Sequence, residues 1–320
     1  MVFSKKFFLS LSFIGCLILG YKTACWPFRF AVEYNAHSAP FWVALEKGWF
    51  QEAAIEVESY EAFLTGTALA AALQRKKIEV AYMCLAPALL AFCNANVPLR
   101  CLTLTHRYGY GLVVDPSKVK AVEDLSKVKV GCLREGTTVD LFMKGVYERY
   151  GGLQGHRKEE VLRMNPFLTV LALSRGQIGA AFLPEHWVSL AEQMGFKVLL
   201  SASDVFPKMP GSVLVVTEGL PAASALKLKE ITERATRWLR DHPEEGARIL
   251  SRHFAMNLPV DIGGEMPLPK PNEGVFLRAF SRMAFDSTLT EEDVKWTLEL
   301  LLRYGYVSKS IDPKEVLWRP

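Results

Sequence analysis

One pattern constrains this chain more than any other: strand and helix periodicities alternate as β-α-β-α-β, and the same order occurs twice. In the first pass, Phe30-Ala31-Val32-Glu33-Tyr34 has the character of a strand. Phe41, Ala44, Leu45 and Trp49 then recur at helical spacing, with Gly48 at the helix end. Alternation over 55–58 predicts a second strand, the Ala/Leu-rich stretch 67–75 a helix, and 78–84 a third strand. The second pass predicts strands over 129–132, 160–164 and 179–183, with helices over 139–150 and 168–174 between them. Residues 72–82 and 172–182 even share Ala, Leu, Arg, Ile and Ala in register, each ending in an aromatic. A match this short also arises when two buried helix-strand units converge on one apolar pattern.

Strands alternating with helices predict an α/β protein with two doubly wound parallel sheets, one per lobe. Beyond Gly211 a strand over 213–216 is followed by helices alone, at about 222–240, 244–251, 274–285 and 291–304. These have no sheet of their own and are expected to cover one already built. The economical arrangement has lobe one as 28–112 plus 212–320, with lobe two, 113–211, inserted between. Two chain crossings then form a hinge, near which Gly109, Gly111, Pro210 and Gly211 lie, although turn chemistry alone also places such residues there.

The first 25 residues read differently. Lys5 and Lys6 precede an uncharged apolar run over 7–19, the pattern of an export signal and shorter than the ~20 residues of a comfortable membrane span. Neither Phe13-Ile14-Gly15-Cys16 nor Lys22-Thr23-Ala24-Cys25 matches the bacterial lipoprotein pattern well, so the cleavage site and lipidation are left open. The six cysteines include no Cys-x-x-Cys pair, and no metal site or cofactor is expected. A net charge of +4 over 320 residues, with no basic run, argues against nucleic acid as a partner.

In parallel α/β sheets ligands bind beyond the carboxyl ends of the strands, where helix starts present unpaired N–H groups. The strand-end loops single out Asn35, His37, Ser38, Phe63, Gly66 and Thr67 in lobe one, with Leu85-Ala86-Pro87 after the third strand. In lobe two and its approach they single out Tyr108, Arg134, Gly136, Thr137, Thr138, Glu185, His186 and Trp187. Gly66-Thr67 and Gly136-Thr137-Thr138 share a design, a glycine permitting close approach and a hydroxyl that can cap a helix or bond an anion. Phe63, Tyr108 and Trp187 can form an apolar or stacking wall, or plain core. No nucleophile-base pair or ligand cluster at helical spacing is evident around His37 or His186, so no catalytic residues are assigned.

The order of these features resembles the periplasmic solute-binding proteins of bacterial ABC importers for nitrate, sulfonates and taurine, and for pyrimidine precursors of thiamine. The resemblance rests on the segment Ala39 to Phe50, Ile55-Glu56-Val57, Gly66-Thr67, Leu85-Ala86-Pro87, Asp124-Leu125, Gly136-Thr137-Thr138, and Ala172-Leu173 with Gly176-Gln177-Ile178. It implies a type II periplasmic-binding-protein fold that closes on a small molecule and delivers it, as a monomer, to a membrane permease and its ATPase. The chain departs from the family in Tyr82-Met83-Cys84, where small or polar residues are usual, and in Gly176-Gln177-Ile178-Gly179-Ala180, which lacks the usual Asp. No arginine cluster marks an oxyanion clamp, Arg107 and Arg134 being the candidates to reach the cleft, so the ligand stays open. Two alternatives share the fold. A pyrimidine-synthase-like enzyme would need a cofactor lysine at the end of the third strand and adjacent cysteines, which are missing. A ligand-sensing subunit of a signalling receptor is indistinguishable by sequence.

Overall fold

The computed structural model describes residues 27–151, 160–260 and 267–319; the segment read as an export signal, with Cys16 and Cys25, lies outside the described residues. The first half runs β1 (Pro27–Glu33), α1 (Ala39–Glu46), α2 (Trp49–Glu52), β2 (Glu56–Phe63), α3 (Gly66–Gln74), β3 (Val80–Cys84), α4 (Leu85–Ala95) and β4 (Leu99–Leu104). A two-residue β5 (Arg107–Tyr108) leads to β6 (Tyr110–Val114). The second half follows with β7 (Val130–Cys132), α5 (Thr138–Tyr150), β8 (Val161–Arg163), α6 (Pro166–Ser174), β9 (Ala180–Pro184), α7 (Trp187–Gln193), β10 (Lys197–Ser201) and α8 (Ala202–Val205). The chain then returns through β11 (Ser212–Thr217), α9 (Ala222–Asp241), α10 (Pro243–Met256), α11 (Glu273–Ser281), β12 (Met283–Ala284) and α12 (Glu291–Arg303).

Two five-stranded sheets result, ordered β2-β1-β3-β11-β4 and β8-β7-β9-β6-β10. Both follow one plan: second, first and third strand, then the strand that crosses over from the other sheet's run, then the fourth. The sequence expectation of wholly parallel sheets is corrected here. β11 runs antiparallel to β3 and β4, and β6 antiparallel to β9 and β10, so each sheet is mixed. The matching segments 72–82 and 172–182 occupy equivalent places, the end of the second helix and the start of the third strand. Residues of β3 and β9 are buried on both faces, which is why these strands read as unbroken apolar runs.

The C-terminal helices mostly cover the first sheet's helices, α9 and α10 on α1 and α12 on α4, but α11 packs on α7 of the other half. Amphipathic spacing drives this in α9, where Leu228, Ile231, Ala235 and Leu239 form one buried stripe. The crossings lie between β4 and β6 and between β10 and β11. They are tied by the bridge Arg107↔Pro210 and by the bonds Tyr108 N to Met209 O and Gly211 N to His106 O. Gly111 lies inside β6 rather than at a crossing. β12 pairs with β5 in a separate two-stranded ladder. Arg107, read as a candidate for the cleft, is committed at this junction, its guanidinium gripping Asp293 by two bonds of 2.6 and 3.1 Å and Asp286 at 2.7 Å.

Candidate functional site

The carboxyl ends of β1, β2 and β3 and the start of α5 converge on one cavity between the two halves. Its walls are Glu33, Asn35, Leu64, Thr65, Gly66, Cys84, Pro87, Leu133, Thr137, Thr138, Val139 and Pro184, and it encloses about 10 Å³, close to the space one water requires. The arrangement is therefore closed.

Local chemistry sets the rim. At the start of α3 the residue before the glycine does the capping: Thr65 accepts from Ala68 N, while Thr67 is half-buried outside the cavity. Gly66 is indispensable by size, since a Cβ there would lie 2.3 Å from Glu33 Oε1. Facing it, Gly136 has φ +78°, and a Cβ would approach Leu90 to 2.7 Å. Thr137 caps α5 through Asp140 N, and its hydroxyl donates to Arg134 O. Buried Asp140 pins this turn, accepting from Gly136 N, Arg163 and the Tyr306 hydroxyl. Thr138 is 3% exposed, and its hydroxyl has no hydrogen bond among the described residues although it sits beside the Tyr110 hydroxyl.

The floor is polar. Glu33 accepts from Cys84 N at 2.8 Å, from Asn35 Nδ2 at 2.9 Å and from the Cys84 thiol at 3.1 Å. Burial raises its carboxyl pKa despite these donors. The Cys84 sulfur also lies 3.3 Å from the Tyr110 hydroxyl and 3.7 Å from His37 Nδ1. A Cys-His pair is the geometry of a thiol nucleophile, but here both groups are held neutral. Burial and the charge of Glu33 push the thiol up, and desolvation pulls His37 down to about 4.

Of the residues singled out from sequence, Asn35, Gly66, Pro87, Thr137 and Thr138 line the cavity, His37 lies beneath it, and Gly136 shapes its rim. The others are placed elsewhere. Ser38 spends its hydroxyl on Asn35 O and Trp42 Nε1. Phe63 is core against α3 and α4, Tyr108 bonds Pro207 O at the crossings with φ +62°, and the Arg134 side chain is exposed. Glu185, His186 and Trp187 build the seam between the halves. Glu185 pairs with Arg282 at 2.6 Å and binds Ser189, while Trp187 Nε1 donates to Tyr34 O. His186 is enclosed by Tyr34, Trp187, Phe254 and Phe276, with ring centroids 4.8–5.9 Å away. Neither of its nitrogens has a partner among the described residues, and burial draws its pKa down to about 3. Glu33, Thr65 and Cys84 were missed. The Glu in the first strand and the Cys closing the third were visible as polar atoms at strand ends, the one signal available.

Two like-ordered mixed sheets facing a shared cavity across a double crossing define a type II periplasmic-binding-protein fold. The chain belongs to the NMT1-like family, whose sequence model matches residues 29–252. Solved structures agree on the fold. The ligand-binding component of an ABC-type import system from Staphylococcus aureus, described with zinc bound, superposes with a TM-score of 0.74 at 16% identity, covering 91% of this chain and 96% of that one. The alkanesulfonate-binding protein SsuA from Xanthomonas axonopodis, bound to MOPS, gives 0.73 at 15% identity over 92% and 98%. The nitrate-binding protein NrtA from Synechocystis gives 0.71 at 16% over 90% and 84%. No curated protein matches in sequence.

Proposed function

We propose that this chain is the solute-binding component of an ABC importer, which captures a small organic or anionic solute between its halves and passes it to a permease with its ATPase. The observation that carries the reading is the closed cavity walled by both sheets, with a polar floor and the starts of α3 and α5 pointing into it. A space this small admits a ligand only after opening, and the paired crossings near Arg107 and Pro210 are where the two halves can swing. On this reading the inserted lobe is 113–211, and the remainder forms the other. The fold neighbours from import systems support it, as does the neutral Cys84-His37 pair, which speaks against thiol catalysis. The basic and apolar start of the sequence supports an extracytoplasmic location. Among the described residues no helix is long and apolar enough to cross a membrane.

A thermal-shift screen over nitrate, alkanesulfonates, taurine, pyrimidines and amino-acid derivatives, paired with small-angle scattering, tests capture. A true ligand raises the melting temperature by mass action and leaves or makes the molecule compact, while the free protein expands. No shift with any compound and a radius that never changes would overturn the reading.

A further inference from the structure

Glu33, His37 and Cys84 bring a carboxylate oxygen, an imidazole nitrogen and a thiol within 4.8 Å of one another, all three buried. We propose that they form a binding site for a borderline-soft divalent metal ion of the zinc class at the floor of the cavity, with one coordination position open to the cavity.

Four observations carry this. The donors are the set such ions prefer, and the thiol disfavours magnesium and calcium. Metal-ligand bonds of ~2.0–2.3 Å in a tetrahedron set ligand atoms about 3.3–3.7 Å apart. The sulfur lies 3.1 Å from Glu33 Oε2 and 3.7 Å from His37 Nδ1, close to that range, and the carboxylate and imidazole donors lie within 4.8 Å of each other, so closing on an ion brings these two side chains together. The outer shell is already in place: His37 Nε2 meets Gly109 O at 2.8 Å, which makes Nε2 the protonated nitrogen and turns the Nδ1 lone pair toward Cys84. Asn35 Nδ2 and Cys84 N orient the carboxylate in the same way.

The fourth observation is electrostatic. Glu33 is a fully buried carboxylate whose hydrogen bonds come from an amide, a backbone N–H and a thiol, and among the described residues no Lys or Arg pairs with it. A divalent ion with one thiolate and one carboxylate cancels charge locally, which suits a site remote from water. On binding, the sulfur-metal bond forms as the Cys84 proton leaves for solvent; a proton on Glu33, where present, leaves too. The unbonded Thr138 hydroxyl lines the same cavity and can bond a water or solute oxygen in the open position.

The inference deepens the capture reading and rests on it for biological use, but metal binding is measured apart from solute. Titration of the full, reduced protein with cobalt(II) is expected to give one equivalent of thiolate-to-cobalt charge-transfer absorption with the strong visible bands of a four-coordinate ion. Cys84→Ser should abolish the charge-transfer band, and His37→Gln should weaken binding at least tenfold. Cys93→Ser, which changes the half-buried thiol of α4, should alter neither. Should Cys84→Ser not fold, zinc protection of each thiol from alkylation in the parent protein, mapped by mass spectrometry, decides: Cys84 protected and Cys93 not. No charge-transfer band, a band surviving in Cys84→Ser, or alkylation of Cys84 unaffected by zinc overturns the proposal. A solute that stabilises the protein equally with and without metal leaves capture standing and removes the ion from it.

Discussion

Replacement of His186 by Phe isolates the consequence of enclosing an imidazole in an aromatic seam. The ring touches Tyr34, Trp187, Phe254 and Phe276, is fully buried, and bonds nothing through either nitrogen among the described residues. At neutral pH two effects oppose. Removing two unpaired polar atoms returns about 1–3 kcal/mol, while a larger ring in a filled box costs about 1–3 kcal/mol. The net change there decides nothing.

The pH dependence does decide. Burial lowers the folded pKa to about 3, against about 6.5 in the unfolded chain, so the unfolded state binds one more proton over the intervening range. Stability from this residue is intact above pH 6.5 and falls by about 1.4 kcal/mol per pH unit below it, about 5 kcal/mol when complete. His37, drawn to about 4, and His106, lowered by burial and by nearby His37, act in the same direction. The parent should therefore lose stability as pH falls through this range, and His186→Phe should lose it with a slope smaller by up to about 1.4 kcal/mol per pH unit. Urea unfolding at several values between about pH 7 and 5 reads both slopes directly. An unchanged slope in the variant would refute the reasoning, because it would mean that the ring is charged or hydrogen-bonded in the folded protein.

Two further substitutions probe other parts of the interface. Gly66→Ala drives a Cβ against Glu33 Oε1 and Pro87, so a stability loss of about 1–3 kcal/mol is expected together with loss of cobalt and solute binding; unchanged calorimetric melting and affinity would contradict the packing. Glu185→Ala leaves Arg282 with Glu192 as its remaining carboxylate and strips Ser189 of its acceptor, a cost of about 3 kcal/mol by chemical denaturation, whereas a near-neutral change would show the seam to be wet.

How much of this was readable in one dimension varies by element. The repeated β-α-β-α-β order and the equivalence of 72–82 with 172–182 follow from periodicity, because burying one face stamps a period on the residues themselves. β4, β6 and β10 left no comparable mark. Their direction and neighbours depend on where the chain crosses between sheets, which local sequence does not encode. The same limit explains Thr65 and Thr67: both can cap, and the choice hangs on where α3 begins.

Asn35, Gly66, Thr137 and Thr138 were reachable because the ends of strands in such a fold point to one place, a regularity of architecture. Glu185, His186 and Trp187 satisfy the same rule and still fall in the seam, since Tyr34, Phe254 and Phe276 arrive from distant segments to enclose them. What sequence alone determined is thus the set of elements and the helix starts, both governed by neighbours three or four positions away. The Glu33-His37-Cys84 floor, joined across separations of 47 and 51 residues, was decided only by tertiary structure. Bringing those polar atoms together depends on how β1 and β3 align in the sheet, and that alignment is set by the burial of whole faces rather than by the residues at their ends.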